Sequence, residues 1–404
     1  MSNNQGGNKR SPLVALLVGI VVVILAVISQ ITGVDLLSFI TTPTPSAVVT
    51  PTPRVDIRPT VIATGDVDVI SLPLGTGAAK DFWEVYFTQP NGSTDESTYI
   101  GGIDQALAGA IGEVDSTLDI AAFEWNNQVL TQAVLDAHER GVRVRVAADN
   151  EHTVEEFDST ISQLEDAGIP IVYDERSALM HNKFMIMDGT RVWTGSTNYT
   201  RNGVFRNNNN MLSLRSRRAV ETYQDEFNEM FEDGAFGGRN SVPNDVSFNQ
   251  DGVIVRIMFS PDDEVVDALT GEIAAAESEI RFMSFSFTLD EIGDALLAAA
   301  ERGVDIQGIF EVRGSETEFS EMTRLHCAGL DMRQDGNNFT MHHKVFIIDE
   351  AAVITGSFNF SQNATRSNDE NMVIIYDADL AAQYLAEFER VQNQASTPDD
   401  LSCN

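Results

Sequence analysis

The stretch HNKFMIMD at residues 181–188 recurs as HHKVFIID at residues 342–349. In both copies a Gly-Ser-x-Asn tetrapeptide begins seven residues after the aspartate. Each motif runs from a histidine and a lysine into four apolar residues, and a continuous apolar run of this length is typical of a strand buried on both faces. Alternate residues of a strand share a face, so we expect the histidine and the lysine of each copy to lie side by side.

The repeat extends well beyond these motifs. Leu118–Phe123 precedes an ERGV tetrapeptide at 139–142, and Ile280–Phe285 precedes the same tetrapeptide at 301–304. The copies keep nearly the same spacing from these segments to the histidine motifs. This indicates the duplication of a whole domain, not a short solenoid unit. Within each copy apolar runs alternate with stretches of helical spacing, which predicts an α/β fold. The expected architecture is two homologous α/β/α sandwich lobes related by a pseudo-twofold axis.

A membrane anchor is predicted ahead of the two lobes. Lys9 and Arg10 precede an apolar run at 13–28, and the positive-inside rule then places the rest of the chain outside the cytoplasm. A cleavable signal that yields a secreted protein is the alternative. The predicted layout is a signal anchor at 1–35, a Pro/Thr-rich linker at 36–78, lobe 1 at 79–235, a connector at 236–252 and lobe 2 at 253–397.

The charge balance limits the kinds of partner. The chain has 26 Lys+Arg against 61 Asp+Glu, a formal net charge of −35. This balance argues against an extended basic groove for nucleic acid and against a polybasic lipid-binding patch. A short phosphate-bearing substrate needs only local cations, such as Arg201, Arg206 and Arg366. The chain has four lysines, and two of them belong to the repeated motifs.

The two cysteines, Cys327 and Cys403, fit no metal-binding spacing. In an oxidising compartment they could form one disulfide that ties down the C-terminal tail. A buried free thiol at Cys327 beside a frayed tail fits the sequence equally well.

The residue types of the repeated motifs suit phosphoryl transfer. A nucleophilic or acidic imidazole, an ammonium and neutral donors together stabilise the charge on the equatorial oxygens of a transferring phosphoryl group. One copy supplies half of such a site, and two copies meeting about a pseudo-twofold axis would place two imidazoles and two lysines around one phosphate. Asp188 and Asp349 have the opposite strand parity, so we expect them to support the structure.

With both H-x-K-x4-D motifs and both GSxN loops, residues 80–395 resemble the phospholipase D superfamily. The resemblance implies a bilobal α/β fold, a monomer with its site between the lobes, and phosphodiester cleavage without metal ion or cofactor. It also implies a covalent phosphohistidine, with one histidine as nucleophile and the other as acid. By this resemblance the catalytic residues are His181, Lys183, Asp188, His342, Lys344 and Asp349. The residues implied to bind or orient the substrate phosphate are Ser196, Asn198, Ser357, Asn359 and Glu370.

The first copy departs from the family pattern at one position. The family commonly places a glutamate eleven residues after the GSxN asparagine, where it hydrogen-bonds the catalytic imidazole. The second copy has Glu370 there, whereas the first has Asn209. We therefore expect Glu370 to orient His342, and Glu124 on a neighbouring strand to supply the carboxylate that His181 lacks. By family habit His181 is assigned as the nucleophile and His342 as the acid.

Three classes of function fit the sequence. The first is an exported phosphodiesterase that acts on phospholipid head-group esters, which suits a membrane-tethered body. The second is a metal-independent endonuclease of the same superfamily, and the third is a non-catalytic phosphate-binding protein. The sequence leaves open whether water or an alcohol resolves the intermediate.

Overall fold

The computed structural model describes residues 60–64, 66–154, 157–238, 244–398, 401 and 403. The predicted signal anchor lies outside these residues. Within the described ranges, no helix combines the length and apolar character needed to cross a bilayer.

The first copy of the repeat folds around a ten-stranded sheet. Its strands are β1 (Thr60–Thr64), β2 (Val67–Leu72), β3 (Gly75–Lys80), β4 (Trp83–Thr88), β5 (Thr117–Ala122), β6 (Arg143–Ala148), β7 (Ile171–Tyr173), β8 (Lys183–Met187), β9 (Arg191–Gly195), the separate two-residue β10 (Asn207–Asn208) and β11 (Asn210–Leu214). Its helices are α1 (Asp104–Gly112), α2 (Gln128–Glu139), α3 (Asn150–Val154), α4 (Ile161–Asp166), α5 (Arg201–Phe205) and α6 (Arg217–Glu232), with a 3-10 turn at Glu96–Thr98. The order across the sheet is β1-β2-β3-β4-β11-β9-β8-β5-β6-β7.

The second copy folds around an eight-stranded sheet. Its strands are β12 (Val246–Gln250), β13 (Val253–Ser260), β14 (Glu279–Ser284), β15 (Asp305–Phe310), β16 (Asp331–Gln334), the separate β17 (Thr340–Met341), β18 (Lys344–Ile348), β19 (Ala352–Gly356) and β20 (Glu370–Tyr376). Its helices are α7 (Val265–Ala275), α8 (Asp290–Glu301), α9 (Val312–Ser315), α10 (Glu321–Cys327), α11 (Gln362–Arg366) and α12 (Ala378–Gln392). The order across the sheet is β12-β13-β20-β19-β18-β14-β15-β16.

The eight strands of the second sheet are arranged like the eight strands from β3 to β7 across the first sheet, which has β1 and β2 in addition. The motif strands β8 and β18 lie in the middle of their sheets between antiparallel neighbours, β5 and β9 in one lobe and β14 and β19 in the other. The outer strands β6 and β15 then pair in parallel with β5 and β14. Every residue of β8 and β18 is buried, as expected for strands covered on both faces. The predicted mixed α/β fold with a duplicated domain is confirmed.

The strands begin earlier in the chain than the sequence analysis expects. Strands β1 and β2 lie within the range 36–78 assigned to the linker, β3 crosses its end, and β12 lies in the range assigned to the connector. The Pro- and Thr-rich composition that suggested an extended spacer belongs to residues 41–60, whereas β2 contains Val67, Val69 and Ile70, which are strong strand formers. The exact lobe boundaries stay a prediction.

A hydrophobic core shared by both lobes joins the two sheets. Helix α6 contacts β13 of the second lobe, and α12 contacts β4 of the first. The ring of Tyr223 on α6 lies 5.0 Å from Phe184 and 5.2 Å from Phe259, measured between ring centroids. Tyr384 on α12 lies 5.0 Å from Phe87 in the same way. Because of this shared core, all described residues belong to one compact unit.

The motif aspartates Asp188 and Asp349 are framework residues, which corrects their assignment as catalytic. Each follows its motif strand at the end remote from the lysine and accepts three consecutive backbone amides, from 115–117 and 277–279, at 2.7–3.0 Å. Partial burial tends to raise the pKa of Asp188, but these amide hydrogen bonds and that from the Ser116 hydroxyl lower it to about 2. Each carboxylate therefore fixes the loop that enters the neighbouring strand.

The cysteines are bonded to each other. Cys327, the last residue of α10, forms a disulfide with Cys403, with an S–S distance of 2.03 Å. Of the two possibilities that the sequence left open, the structure shows the bridge, which ties the C-terminal residues to the second lobe.

Candidate active site

The two histidine motifs meet at the boundary between the lobes. Strands β10 and β17 pair in parallel across it, with Asn207 opposite Thr340. The backbone N–H of His342 donates to the oxygen of Asn208 at 2.9 Å, and that of His181 donates to Asp369 O, also at 2.9 Å. Each motif histidine is thus held by the backbone of the other lobe.

His181 is supported by a carboxylate from the second lobe. Its Nδ1 lies 2.6 Å from Oε2 of Glu370, and the imidazole is 4% exposed. The same oxygen of Glu370 accepts the hydroxyl of Ser357 at 2.8 Å, and Oε1 accepts from Asn368 Nδ2 at 3.2 Å. A carboxylate accepts only, so Nδ1 of His181 carries the proton and Nε2 presents its lone pair.

His342 is supported by an amide from the first lobe. Its Nδ1 lies 3.0 Å from Oδ1 of Asn209 and 3.1 Å from the backbone oxygen of Ser196. Asn209 Nδ2 donates to Gly203 O at 2.8 Å, and its Oδ1 accepts the Ser196 hydroxyl at 2.8 Å. This network fixes the amide with its oxygen toward the imidazole, so His342 also carries its proton on Nδ1.

The expected pairing of the orienting residues is therefore wrong, because the orienters cross between the lobes. Glu370 supports His181, and Asn209 supports His342. Glu370 begins β20 directly after Asp369, whose oxygen accepts the His181 amide, so the backbone brings this carboxylate to the first motif. Glu124, which was expected to supply a carboxylate to His181, instead accepts Asn198 Nδ2 at 2.5 Å. His181 does not lack a carboxylate, because it already contacts Glu370.

The motif lysines lie beside the histidines, as their strand parity predicts. The Nζ of each lysine donates to the backbone oxygen of its own motif histidine, at 2.6 Å for Lys183 and 2.9 Å for Lys344. Each Nζ also lies 4.7 Å from the ring centroid of a phenylalanine, Phe123 or Phe285. Both lysines are at most 2% exposed. Two amino groups are thus held in a nearly dry site, where their protonated forms would interact strongly with a bound anion.

The electrostatics link these groups into one site. Burial, and then the charges of Lys183 and Lys344, hold the pKa of both motif histidines well below the ordinary value. Burial lowers the pKa of Lys183 to about 7 and raises that of Glu370 to about 7. Burial and the charge of Lys183 lower the pKa of Lys344. Since the cationic forms are disfavoured without an anion, a bound phosphate would stabilise them.

A cleft of about 860 Å³ opens at this boundary. Lobe 1 contributes Glu124, Asn198 and Arg206 to its wall, and lobe 2 contributes Arg313 and His342. The cleft is large enough for a small ligand or head group and exposes one of the two motif histidines along its wall.

The four GSxN side chains divide into two roles. Ser196 and Ser357 hydrogen-bond the orienting residues Asn209 and Glu370, so they act on the histidines indirectly. Oδ1 of Asn198 and Oδ1 of Asn359 are buried and have no hydrogen-bond partner in the described part of the chain. A buried acceptor without a partner is uncommon, and a substrate donor would satisfy it.

Sequence reasoning missed a second set of side-chain contacts between the lobes, which lies behind the motif histidines. Asn210 Nδ2 of lobe 1 lies 3.2 Å from Nδ1 of His343, whose Nε2 lies 2.9 Å from Oε1 of Glu387. Asn371, which occupies the equivalent position in lobe 2, donates to Oδ1 of Asn182 at 2.8 Å. His343 thus points away from His342, as strand alternation predicts. The repeated asparagine directly after each orienter was the sequence signal for these contacts.

Replacing Glu370 with glutamine is expected to lower kcat by about 10²-fold or more, because a neutral amide, unlike the carboxylate, does not stabilise positive charge on the His181 imidazole. A neighbouring carboxylate raises the pKa of an imidazole, so its removal lowers the pKa of His181. In the native protein kcat/KM should fall as the pH drops below about 7, where the His181–Glu370 pair takes up a proton. In the variant this acid limb should move to lower pH.

A pH–rate profile on a soluble phosphodiester checks this expectation. Glu279→Gln is the matched control, because it changes another glutamate with a raised pKa at the far end of β14. An unchanged kcat and an unmoved acid limb in Glu370→Gln would contradict the role assigned to this carboxylate.

Comparison with known proteins places both lobes in one family of domains. The family model described as "Cardiolipin synthase, PLD-like domain" matches residues 107–231 and 269–392, which is more than half of the chain. Each match contains one histidine motif and its GSxN loop.

Curated proteins of similar sequence are named cardiolipin hydrolase or phospholipase D. A mitochondrial cardiolipin hydrolase of Chlamydomonas reinhardtii is 35% identical over 122 residues, which are 30% of this chain and 54% of that protein. A phospholipase D of Rickettsia conorii is 34% identical over 131 residues, 32% of this chain and 66% of that protein. The chain thus spans about half to two thirds of these curated relatives. The structure of phosphatidylserine synthase from Haemophilus influenzae aligns with a TM-score of 0.59 at 13% identity, over 74% of this chain and 86% of that one, which shows likeness of fold.

Proposed function

This chain belongs to the phospholipase D superfamily, and from that premise we propose that it hydrolyses phosphodiesters of phospholipid head groups through a covalent phosphohistidine. The observation that carries the proposal is the crossed support of the two imidazoles. The imidazole of His181 contacts a carboxylate and that of His342 contacts an amide, and a buried lysine lies beside each histidine.

In the first step the Nε2 lone pair of His181 attacks phosphorus, and the bond between phosphorus and the leaving oxygen breaks. With the phosphate bound, His342 is the imidazolium, protonated on both ring nitrogens, and it gives its Nε2 proton to that oxygen, which departs as an alcohol. Lys183 and Lys344 stabilise the negative charge on the remaining phosphoryl oxygens. The product of this step is a phosphoryl group bonded to Nε2 of His181.

In the second step neutral His342 takes a proton from water as the water oxygen attacks phosphorus. The bond between phosphorus and nitrogen breaks, and its electron pair returns to Nε2 of His181. The phosphomonoester leaves, and His342 is again protonated for the next substrate. The same residue acts as acid and then as base.

The difference between the two supports favours this assignment of roles. An imidazole bonded to phosphorus while Nδ1 keeps its proton is cationic, and the carboxylate of Glu370 offsets that charge. An acid must release its proton, and the neutral amide of Asn209 makes His342 less basic than a carboxylate would. The carboxylate thus supports the residue that becomes charged, His181, and the amide supports the one that gives up its proton.

A phospholipid substrate fits the names of the relatives and the charge of the chain. The relatives described above are named cardiolipin hydrolase and phospholipase D. With a net charge of −35, a long polyanion would be repelled outside the cleft. An extracytoplasmic, membrane-tethered location is part of this proposal, because it would bring the cleft to lipid.

The test offers the protein phosphatidylglycerol vesicles and plasmid DNA side by side in excess EDTA. Head-group release should be observed, and it should be abolished in His181→Asn and His342→Asn. Nicking of DNA without lipid hydrolysis would contradict the proposed substrate class. Lipid hydrolysis that survives both substitutions would contradict the mechanism.

A further inference from the structure

We propose that Phe157 of lobe 1 and Phe319 of lobe 2 insert into the surface of a phospholipid membrane and hold the entrance of the cleft against it. The inference rests on the proposed function, since it takes the substrate of the cleft to be a phospholipid in such a surface. It goes beyond that function by naming the side chains that contact the lipid surface.

The first observation is the exposure of these two rings. Phe157 is fully exposed and Phe319 is 69% exposed, whereas the other phenylalanines of the described ranges are buried or half-buried. Val154, which ends α3 three residues before Phe157, is also 49% exposed. A single exposed apolar side chain is ordinary on a protein surface. Two exposed phenylalanines in matching parts of a duplicated domain indicate a surface that contacts an apolar partner.

The second observation is that the two rings lie in corresponding loops. Phe157 lies between α3 and α4, and Phe319 lies between α9 and α10. Each loop is held by the same hydrogen bond, to a residue that stands three positions after the end of β5 or β14. The backbone N–H of Thr160 donates to the oxygen of Trp125, and that of Glu321 donates to the oxygen of Phe287, each at 3.1 Å. Both lobes therefore present one exposed ring from the same place in the fold.

The third observation is that the fold places both loops at the sheet edge that carries the site. The first residues of β8 and β18, Lys183 and Lys344, pair with the last residues of β5 and β14. Strands β6 and β15 run parallel to β5 and β14, so they end at the same edge, and the chain passes from there into α3 and α9. The loops that carry Phe157 and Phe319 therefore follow from the edge at which the motif histidines lie.

The cleft itself reaches these loops. Phe157 lines the cleft and is fully exposed, so its ring lies at the entrance. Arg313 and Gly314 of α9 also line the cleft. The hydroxyl of Thr317, two residues before Phe319, donates to the backbone oxygen of Gly314 at 3.2 Å. One exposed ring thus lies on each lobe beside the same cleft.

A lipid surface is the occupant that this arrangement fits. Two rings that project from separate lobes need no matching pockets in a fluid surface, whereas a protein that bound both would lie across the entrance of the cleft. Phenylalanine side chains gain from leaving water for the boundary between head groups and acyl chains. The acidic residues Asp158 and Glu318 adjoin the rings, and the net charge of the chain is −35. The surface is therefore one rich in zwitterionic lipid, since a strongly anionic surface would repel the protein.

Fluorescence tests the insertion directly, because the three tryptophans of the chain are at most 2% exposed. Phe157→Trp and Phe319→Trp each add one exposed indole to the full chain, which is mixed with phosphatidylcholine vesicles that contain phosphatidylglycerol as the minor lipid. The emission of the added tryptophan should shift to shorter wavelength, and brominated phosphatidylcholine should quench it. Both effects should weaken as phosphatidylglycerol becomes the major lipid.

Ile254→Trp is the matched control, since Ile254 is 41% exposed near the start of β13. Ser260 at the end of β13 pairs with Glu370, so the start of this strand lies at the edge of the sheet opposite the site. The emission of this variant should not respond to the vesicles.

Kinetics give a second readout. Phe157→Ser and Phe319→Ser should each lower, by about 10-fold, the ratio of phosphatidylglycerol turnover in these vesicles to bis(p-nitrophenyl) phosphate turnover in solution. Ile254→Ser should keep the native ratio. An unchanged ratio when both phenylalanines are replaced, without quenching at either position, would overturn the lipid-contacting surface and keep the proposed function. Quenching at both positions without His181-dependent lipid turnover would keep the surface and overturn the proposed function. A dimer in solution that needs Phe157 and Phe319, without quenching by lipid, would overturn the lipid surface in favour of a second copy of this chain.

Discussion

Replacing His181 with asparagine should lower kcat on bis(p-nitrophenyl) phosphate by about 10⁴-fold or more. Asparagine can still donate to Glu370, so the buried carboxylate keeps a partner, but the variant has no ring nitrogen to attack phosphorus. Because the covalent route is then closed, residual turnover should reflect substrate positioning alone. Release of p-nitrophenolate measures the loss directly.

The control for this variant is His138→Asn, which makes the same change in the last turn of α2. It should retain the native kcat. A His181→Asn variant that keeps a tenth or more of native turnover would show that His181 is not the nucleophile.

Replacing His342 with asparagine should produce a loss that depends on the leaving group. Phosphatidylglycerol expels an alkoxide that needs a proton, and we expect a fall of about 10³-fold or more in its hydrolysis. p-Nitrophenolate needs little protonation, so the first step on bis(p-nitrophenyl) phosphate should stay fast. The second step loses its base in both cases. The variant should therefore release a burst of about one p-nitrophenolate per protein molecule and then turn over slowly.

Stopped-flow absorbance resolves the burst, and the amplitude should scale with protein concentration. Equal losses on both substrates without a burst would show that His342 does not act as the acid. Circular dichroism of both histidine variants separates a loss of chemistry from a loss of fold.

Much of the fold could be predicted from the sequence because the signals were local or repeated. The apolar run after each lysine marks a buried strand, and strand alternation puts each lysine beside its histidine and His343 on the opposite side. The offset between the copies is 162 residues at the ERGV tetrapeptides and 161 at the histidine motifs, and this nearly constant offset predicts the duplication that the two sheets display. Strands β1 to β3 were missed, because the linker inferred from the Pro- and Thr-rich residues 41–60 was extended to residue 78, over valines and isoleucines that favour a strand.

The part of the site that could not be predicted is the contact between lobes. Glu370 and Asn209 were each paired with the histidine of their own copy, because spacing along the chain reports neighbours within a copy. Backbone pairing across the lobe boundary exchanges them, with His181 joined to Asp369 and His342 to Asn208. No periodicity in the sequence encodes that exchange. The family resemblance nevertheless assigned His181 as the nucleophile and His342 as the acid, the same roles that their contacts with Glu370 and Asn209 favour.

The central claim is that His181 carries the phosphoryl group, and mass spectrometry of the trapped intermediate tests it most directly. His342→Asn is mixed with bis(p-nitrophenyl) phosphate, quenched in alkaline denaturant to preserve the acid-labile phosphorus–nitrogen bond, and digested. We predict a p-nitrophenyl phosphoryl adduct on the peptide that contains His181, and none when His181 is also replaced. An adduct on any other residue, or turnover that persists with no adduct at all, would contradict the account.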